Sequence, residues 1–154
     1  MTEAIKANHR VLVFGSGYVV PPVLDFFSKH PDIIVSVATN ELEDAERTLS
    51  KYGNPSIIGV DVLKDPELTE KLIQSSDIVI SLISANLHVS LAGLCIKHGK
   101  SLVTASYISK EMEALNSSAK DAGVLLLNEI GLDPGLDHLA AMEIIDDCRS
   151  RGEV

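Results

Sequence analysis

The 154-residue chain contains only two cysteines, Cys95 and Cys148, and no apolar run of 18 or more residues. Both cysteines fall inside predicted helices without metal-type spacing, which excludes a cysteine metal site and reads as two buried or half-buried thiols. A reducing compartment fits them, and a cytoplasmic location is the expectation. The missing apolar run excludes a membrane-spanning helix. Met1 to Lys6 lacks the long apolar segment of a secretory signal, and no transit peptide is visible. Cations are also scarce: 13 Lys and Arg against 22 Asp and Glu leave a formal net charge of -9. That deficit argues against a nucleic-acid or anionic-membrane surface. It does not oppose a phosphate-bearing ligand, because helix N-termini and backbone N–H groups bind phosphate without net positive charge.

What is present is one core's worth of apolar residues, 45% of the chain, with no internal repeat, low-complexity tract or linker. One domain over residues 1–154 is therefore expected. Short apolar runs alternate with helical patterns. Residues 10–14, 33–38, 56–60, 77–82, 101–104 and 124–127 read as strands, the first and the last of them as buried. Between the first two, Val19, Val20, Val23, Leu24 and Phe27 recur at helix spacing and His30-Pro31-Asp32 closes the helix. Leu42, Ala45 and Leu49 mark a second helix, and Asp65-Pro66-Glu67 opens a third with an Asp cap and a Pro at the first helical position. Residues 87–98 give a fourth. Ser109 caps a fifth carrying Met112, Leu115 and Ala119, and residues 137–149 give the last. Six strands with helical crossovers predict an α/β, Rossmann-type doubly wound parallel sheet of order 3-2-1-4-5-6.

Gly15-Ser16-Gly17-Tyr18-Val19-Val20 occupies the first strand–helix turn. The first glycine permits the tight turn, and the second lets backbone approach a pyrophosphate at the helix N-terminus. Val20 fills the slot where a third glycine would let helix and strand pack closely. Pro21 and Pro22 fall in the first helical turn, where missing N–H groups cost little. The residue closing the second strand reads the adenosine ribose: an acid bonds the 2′-hydroxyl of NAD, an arginine accommodates the 2′-phosphate of NADP. Here Thr39-Asn40-Glu41 follows that strand. Asn40 serves either ribose, Glu41 repels a 2′-phosphate if it points inward or complements the helix dipole if it does not, and Arg47 further along offers an offset. The choice stays open between NADP and NAD.

Asp61 after the third strand approaches the adenine side, and Ser81-Leu82-Ile83-Ser84 ends the fourth strand beside the point where strand order reverses. Ser106 and Tyr107 follow the fifth strand and face the same crevice. His88, just inside a helix, is read as a helix-surface histidine, with a substrate contact as the alternative. His9, His30 and His98 at element ends are expected to be solvated, as is the Asp146-Asp147 pair. The densest segment is Glu129-Ile130-Gly131-Leu132-Asp133-Pro134-Gly135-Leu136-Asp137-His138. It brings two glycines, a proline, three carboxylates before His138, and that imidazole to the end of the Val124 to Leu127 strand. Ligands of open parallel sheets bind beyond the carboxyl ends of strands. An ordinary connection needs no such density, so this loop is expected to belong to a site.

With these segments assembled, the sequence resembles saccharopine dehydrogenases of the L-glutamate-forming type, found as fungal saccharopine reductases and in bifunctional aminoadipic semialdehyde synthases. The resemblance runs from about Val11 to the C-terminus. It is carried by Gly15 to Tyr18, Asp77 to Ile83 with His88, Val103 to Ile108, and Asn128 to His138. It implies oxidative cleavage of saccharopine to L-glutamate and 2-aminoadipate 6-semialdehyde in lysine metabolism, by hydride transfer that makes an imine and hydrolysis of that imine by water. It also implies NAD or NADP as the hydride acceptor. By position, Gly15, Ser16, Gly17, Tyr18, Thr39, Asn40, Asp61, Leu82, Leu132, Asp133 and Pro134 would contact the cofactor. Ser106, Tyr107 and Asp133 would contact saccharopine, and so would the loop at Ser84 and Ala85. Asp133 is the catalytic candidate, orienting the reacting amine, because a carboxylate beside a cation is mutually favourable.

Two departures shape the expectation. Many family members have a Pro and an aromatic residue where this chain has Ser84-Ala85-Asn86. Family enzymes also continue into a substrate domain with an arginine for the substrate carboxylates, whereas this chain stops at Val154. Cofactor binding without efficient turnover is therefore expected, with self-association through exposed apolar surface. A mitochondrial location would follow if the chain were part of a bifunctional synthase. The other readings are a non-catalytic module that binds or senses NAD(P), and the cofactor domain of another NAD(P)-dependent dehydrogenase.

Overall fold

In the computed structural model, which describes residues 9–153, the first strand β1 (His9–Phe14) sends alternate side chains into two separate cores. Leu12 and Phe14 join Ala38, Ile73, Val79, Leu91, Cys95 and Leu102 on one face; Val11 and Val13 join Val20, Leu24, Val37, Ala45 and Leu49 on the other. The pleat's two-residue period makes this inevitable once both faces are covered, and it explains why the strand reads as continuously apolar. The N-terminal segment Met1 to Lys6, in which no signal was read, lies outside the described residues, as does Val154.

The remaining strands are β2 (Ile33–Thr39), β3 (Ser56–Gly59), β4 (Ile78–Ser81), β5 (Ser101–Thr104) and β6 (Leu126–Leu127). All pair in parallel, in the order β3-β2-β1-β4-β5-β6 that the alternation of elements predicts. Helices α1 (Val20–Ser28) and α2 (Leu42–Leu49) bury Val20, Leu24, Ala45 and Leu49 on one face. On the other, α3 (Pro66–Ser75), α4 (His88–Lys97) and α5 (Lys110–Glu113) bury Ile73, Leu91, Ala92, Cys95 and Met112. Among the described residues no helix is long and apolar enough to cross a membrane.

Local chemistry departs from the sequence reading at several places. Asp65 stands at the cap position of α3, but its carboxylate accepts from the Asp61 N–H at 3.0 Å rather than from the helix. Ser109 does cap, accepting from the Met112 N–H at 3.1 Å. The helix it opens breaks at Ala114–Leu115, and α6 (Asn116–Asp121) follows as a separate piece. Asn116, Ser117 and Ser118 offer the backbone competing side-chain bonds, which weakens helix continuity there. β6 is shorter than the Leu-rich run and only one of its faces is covered: Leu126 packs against the core of Leu12 and Phe14, while Leu125 and Leu127, pointing the other way, are 56% and 37% exposed. His98 is not solvated either; its Nε2 meets Glu70 Oε1 at 2.7 Å, alongside Lys97.

The last helix, α7 (Leu136–Ser150), buries none of its residues. Leu136, Leu139, Met142, Ile144 and Ile145 all stand exposed on it. The helix therefore adds little to the core, and stability should show this. Leu91→Ala, in the fully buried centre of α4, should cost about 2–5 kcal/mol, whereas Leu139→Ala should change stability by less than about 0.5 kcal/mol. Chemical denaturation of the two variants measures both.

Candidate functional site

β1 pairs with β2 along one edge and β4 along the other, so the chain leaves in opposite directions after these strands and a crevice opens at their carboxyl ends. It holds about 320 Å3 and is lined by Gly15–Gly17, Thr39–Glu41, Val60–Val62 and Leu82–Ser84. A comparable pocket of about 350 Å3 lies at the amino ends of β2 and β3, against Phe27, Ile33 and Tyr52. It sits at the wrong end of the strands for a ligand of this sheet type and carries none of the motif residues.

The glycine turn follows from space. Gly15 has φ of +112°, and a Cβ there would lie 2.9 Å from the Leu82 carbonyl oxygen, so only glycine passes between β1 and β4. Its N–H donates to the Ala38 carbonyl at 2.9 Å, joining the turn to β2. No atom lies within 4 Å of where a Gly17 Cβ would stand, which leaves the backbone open to an approaching group. The N–H groups of Ser16, Gly17, Tyr18 and Val19 find no backbone acceptor among the described residues, while Val20 turns inward and starts α1. Free donors at a helix N-terminus beside open space suit the pyrophosphate of a dinucleotide. The Ser16 and Thr39 hydroxyls meet at 2.8 Å, and Thr39 also accepts from the Glu41 N–H, so the corner after β2 is fixed to the turn.

Of the sequence-predicted cofactor residues, Gly15, Ser16, Gly17, Thr39, Asn40, Asp61 and Leu82 come together here. The Tyr18 side chain is fully exposed and lies outside the lining. Asp61 spends its carboxylate on its own turn, accepting from the Leu63 and Lys64 N–H groups and pairing with Lys64 Nζ. Those bonds, first the one to the Lys64 side chain, hold its carboxyl below the usual range. Leu132, Asp133 and Pro134 are not in the crevice lining; they sit on the loop after β6.

That loop forms the second half of the site with the end of β5. The Glu129 N–H donates to the Ser106 carbonyl, the Ile130 N–H to that of Thr104, and Glu129 Oε1 accepts from the Ile108 N–H. Gly135, at φ +145°, lies so close to Gly131 that a Cβ would fall 2.3 Å from the Gly131 carbonyl oxygen. The loop is thereby closed on itself, and it presents Asp133 to Tyr107, whose phenol donates to Asp133 Oδ1 at 2.5 Å. That hydrogen bond, with burial and the charges of Asp133, Asp137 and Glu129, raises the Tyr107 phenol above its ordinary value. Among the described residues no group of three or more His, Cys, Asp or Glu side chains is placed to hold a metal ion.

His88 corrects the sequence reading. It is only 3% exposed, not a helix-surface residue. Its Nδ1 meets Ser81 Oγ at 2.9 Å, and its Nε2 meets Ser106 Oγ at 2.8 Å and Thr104 Oγ1 at 3.0 Å. The ring therefore joins the ends of β4 and β5 and anchors the Ser106 hydroxyl beside Tyr107. A neutral imidazole has one donor and one acceptor nitrogen, and hydroxyls satisfy either tautomer. Burial lowers its pKa, keeping it neutral. For Ser81 and Thr104, which the sequence places only as strand-end residues, the bonds of their hydroxyls to His88 are what sequence reasoning passed over. Their signal was a hydroxyl at the last position of two otherwise apolar strands.

Fold and site together define a dinucleotide-binding Rossmann domain. Comparison with known proteins then specifies which. The profile of the saccharopine dehydrogenase NADP binding domain family matches residues 11–127, and the chain belongs to that family. It is 38% identical over 149 residues to the mitochondrial alpha-aminoadipic semialdehyde synthase of Rattus norvegicus, covering 97% of this chain and 16% of that protein. It is 39% identical to the saccharopine dehydrogenase (NADP(+), L-glutamate-forming) of Saccharomyces cerevisiae, covering 92% of this chain and 31% of the relative. The apo histidine-tagged saccharopine dehydrogenase (L-Glu forming) structure from Saccharomyces cerevisiae superposes with a TM-score of 0.85 at 38% identity, over 94% of this chain and 32% of that one. The chain thus spans less than a third of the length of these relatives.

Two histidines should titrate in opposite senses. His138 shares a hydrogen bond and an ion pair with Asp137 at 2.8 Å, and Glu129 and Asp133 add to the attraction, so its pKa is raised. For Asp137, desolvation opposes the charge, but bonds from His138 and Gly135 outweigh it and its pKa is lowered. NMR titration should place His138 above the ordinary imidazole value of about 6.5, returning toward it in Asp137→Asn. Whatever stability the pair contributes is complete below that ordinary value and lost as pH rises through the raised one. His88 should titrate below the ordinary value, and its sign is reversed: the unfolded chain binds the proton better, so stability falls as pH drops. His88→Ala, which strands buried hydroxyls, should cost about 1–3 kcal/mol in a denaturant melt.

Proposed function

We propose that this chain is the cofactor half of a saccharopine dehydrogenase of the L-glutamate-forming type. The overall reaction converts saccharopine, NAD(P)+ and water into L-glutamate, 2-aminoadipate 6-semialdehyde, NAD(P)H and a proton. The observation that carries this reading is the Tyr107–Asp133 hydrogen bond at the carboxyl ends of β5 and β6, one strand from the crevice and in the segments that resemble the family most specifically. When bound, the nicotinamide accepts the hydride that leaves the carbon beside the secondary amine.

The chain's own residues supply position and charge. The Ser16 to Val19 N–H groups hold the pyrophosphate, and Leu82 and Ser84 line the path toward β4. Asp133, with its second oxygen free of the Tyr107 bond, orients the amine nitrogen; Leu132 and Pro134 shape the loop along the nicotinamide. Ser106, fixed through His88, and Tyr107, fixed through Asp133, give the substrate two preset polar contacts. Such prepaid orientation supplies much of the acceleration available to a hydride transfer. Remaining substrate contacts would come from protein outside this domain, and Ser84-Ala85-Asn86, with Ser84 at the cap position of a short 3-10 helix (Ala85–Leu87) but making no side-chain capping bond, would be this chain's loop toward the substrate. Where many relatives carry Pro and an aromatic residue, this loop favours one further reading: the cofactor domain of a dehydrogenase acting on a different amino acid.

The test is saccharopine-dependent formation of NAD(P)H by the full-length protein that contains this domain. Turnover should fall at least roughly tenfold in Asp133→Ala, an effect on the order of 1.4 kcal/mol of barrier. Turnover of another amino acid without any of saccharopine would transfer the assignment to the further reading.

A further inference from the structure

We propose that the crevice selects its dinucleotide at the adenosine ribose, preferring a free 2′-hydroxyl, as in NAD, over a 2′-phosphate, as in NADP, and that Glu41 makes the choice. This rests on the dinucleotide reading of the crevice and sets the chain apart from the NADP binding by which its family is described. The sequence left Glu41 with two roles and offered Arg47 as a counterweight. The structure separates them. The ribose end of the crevice is lined by Thr39, Asn40 and Glu41 on one side and Val60, Asp61 and Val62 on the other. Two of those six are carboxylates, and no lysine or arginine lines the crevice among the described residues.

Glu41 is the cap residue of α2, yet its side chain makes no capping hydrogen bond. It forms no ion pair among the described residues, where Arg47 pairs with Asp44 and Lys64 with Asp61. The dipole role falls instead to Glu43 and Asp44 in the first turn, so the helix N-terminus already faces two acids of its own. Arg47 lies on α2 outside the lining, with a side chain 77% exposed and engaged by Asp44. Asp61 is offset by Lys64, so the uncompensated charge that a 2′-phosphate would meet is that of Glu41, whereas a hydroxyl can donate to the Glu41 carboxylate and bond the Asn40 amide.

Calorimetry on the chain with NADH and NADPH, and with ADP-ribose and 2′-phospho-ADP-ribose, tests this at the adenosine end directly. NADH and ADP-ribose should bind on the order of tenfold or more tightly than their phosphorylated counterparts. Glu41→Gln should narrow the ratio and Glu41→Arg should invert it; Glu41 is exposed, so neither change disturbs the core. Higher ionic strength should also narrow it. Equal or tighter binding of the phosphorylated ligands would overturn the preference while leaving the dinucleotide reading intact. A ratio unmoved by both variants would remove Glu41 from the choice. Binding of none of the four would overturn the dinucleotide reading together with this one.

Discussion

The pairing of β1 with β2 on one edge and β4 on the other governs everything that follows. Because the crossovers diverge from that strand, no helix can cover its carboxyl end, and the first turn has to leave through the gap. Gly15 is the consequence: the chain must bend with positive φ while passing the Leu82 carbonyl. The same divergence brings the ends of β2 and β4 to opposite walls of one crevice. A ligand laid across it meets donors from the turn in the middle and side chains from strand ends on either hand. Neither wall needs a special loop, since sheet topology alone delivers them.

Beyond β4 the strands are short and β6 is an edge, and a second device ties their ends together. His88 supplies it. The imidazole reaches across from α4 to hydroxyls at the last positions of β4 and β5, and the loop after β6 is laced to the end of β5 by backbone bonds. A buried polar network of this kind is costly when half satisfied and rigidifying when complete. Here each ring nitrogen has a partner. The position of Ser106, and through its neighbour Tyr107 the presentation of Asp133, therefore depends on a histidine whose importance comes from its depth.

How much of this the chain declares in its sequence differs by element. Strand order and the glycine turn were legible because periodicity, Gly and Pro act locally, and the crossover rules leave one economical arrangement. The crevice residues Thr39, Asn40, Asp61 and Leu82 were legible for the same reason, since a strand's end locates them. Depth was not. The helical pattern around His88 gave its place in the chain without showing that it faces two strand ends, and Leu125 read as buried because a run of leucines does not say whether one face of a strand is covered or both. The Tyr107–Asp133 bond joins residues 26 apart through two strand ends, each named by sequence and neither paired by it. Arg47 was misweighed in a similar way: chain proximity to Glu41 suggested an offset, but helix geometry hands it to Asp44.

A charge pattern along the crevice ties these pieces together. The centre is a turn whose donors are neutral N–H groups, while Glu41 and Asp61 stand at one end and Asp133, Glu129 and Asp137 beyond the other. In such a centre helix N-terminus and backbone stand in for lysine and arginine, so a net charge of -9 does not oppose a pyrophosphate there. The flanking acids then fit a ligand that is uncharged at its ribose hydroxyls and positive at its far end. On the proposed reading, the oxidised nicotinamide brings that positive charge, and hydride transfer from the carbon beside the neutral amine moves it to the nitrogen of the iminium that water then hydrolyses. The carboxylates on the β6 loop would therefore hold the oxidised cofactor better than the reduced one. In the cleavage direction these carboxylates therefore face positive charge on both sides of the hydride transfer, first on the ring and then on the iminium nitrogen beside Asp133, and that nitrogen is where a fixed carboxylate stabilises the charge that develops.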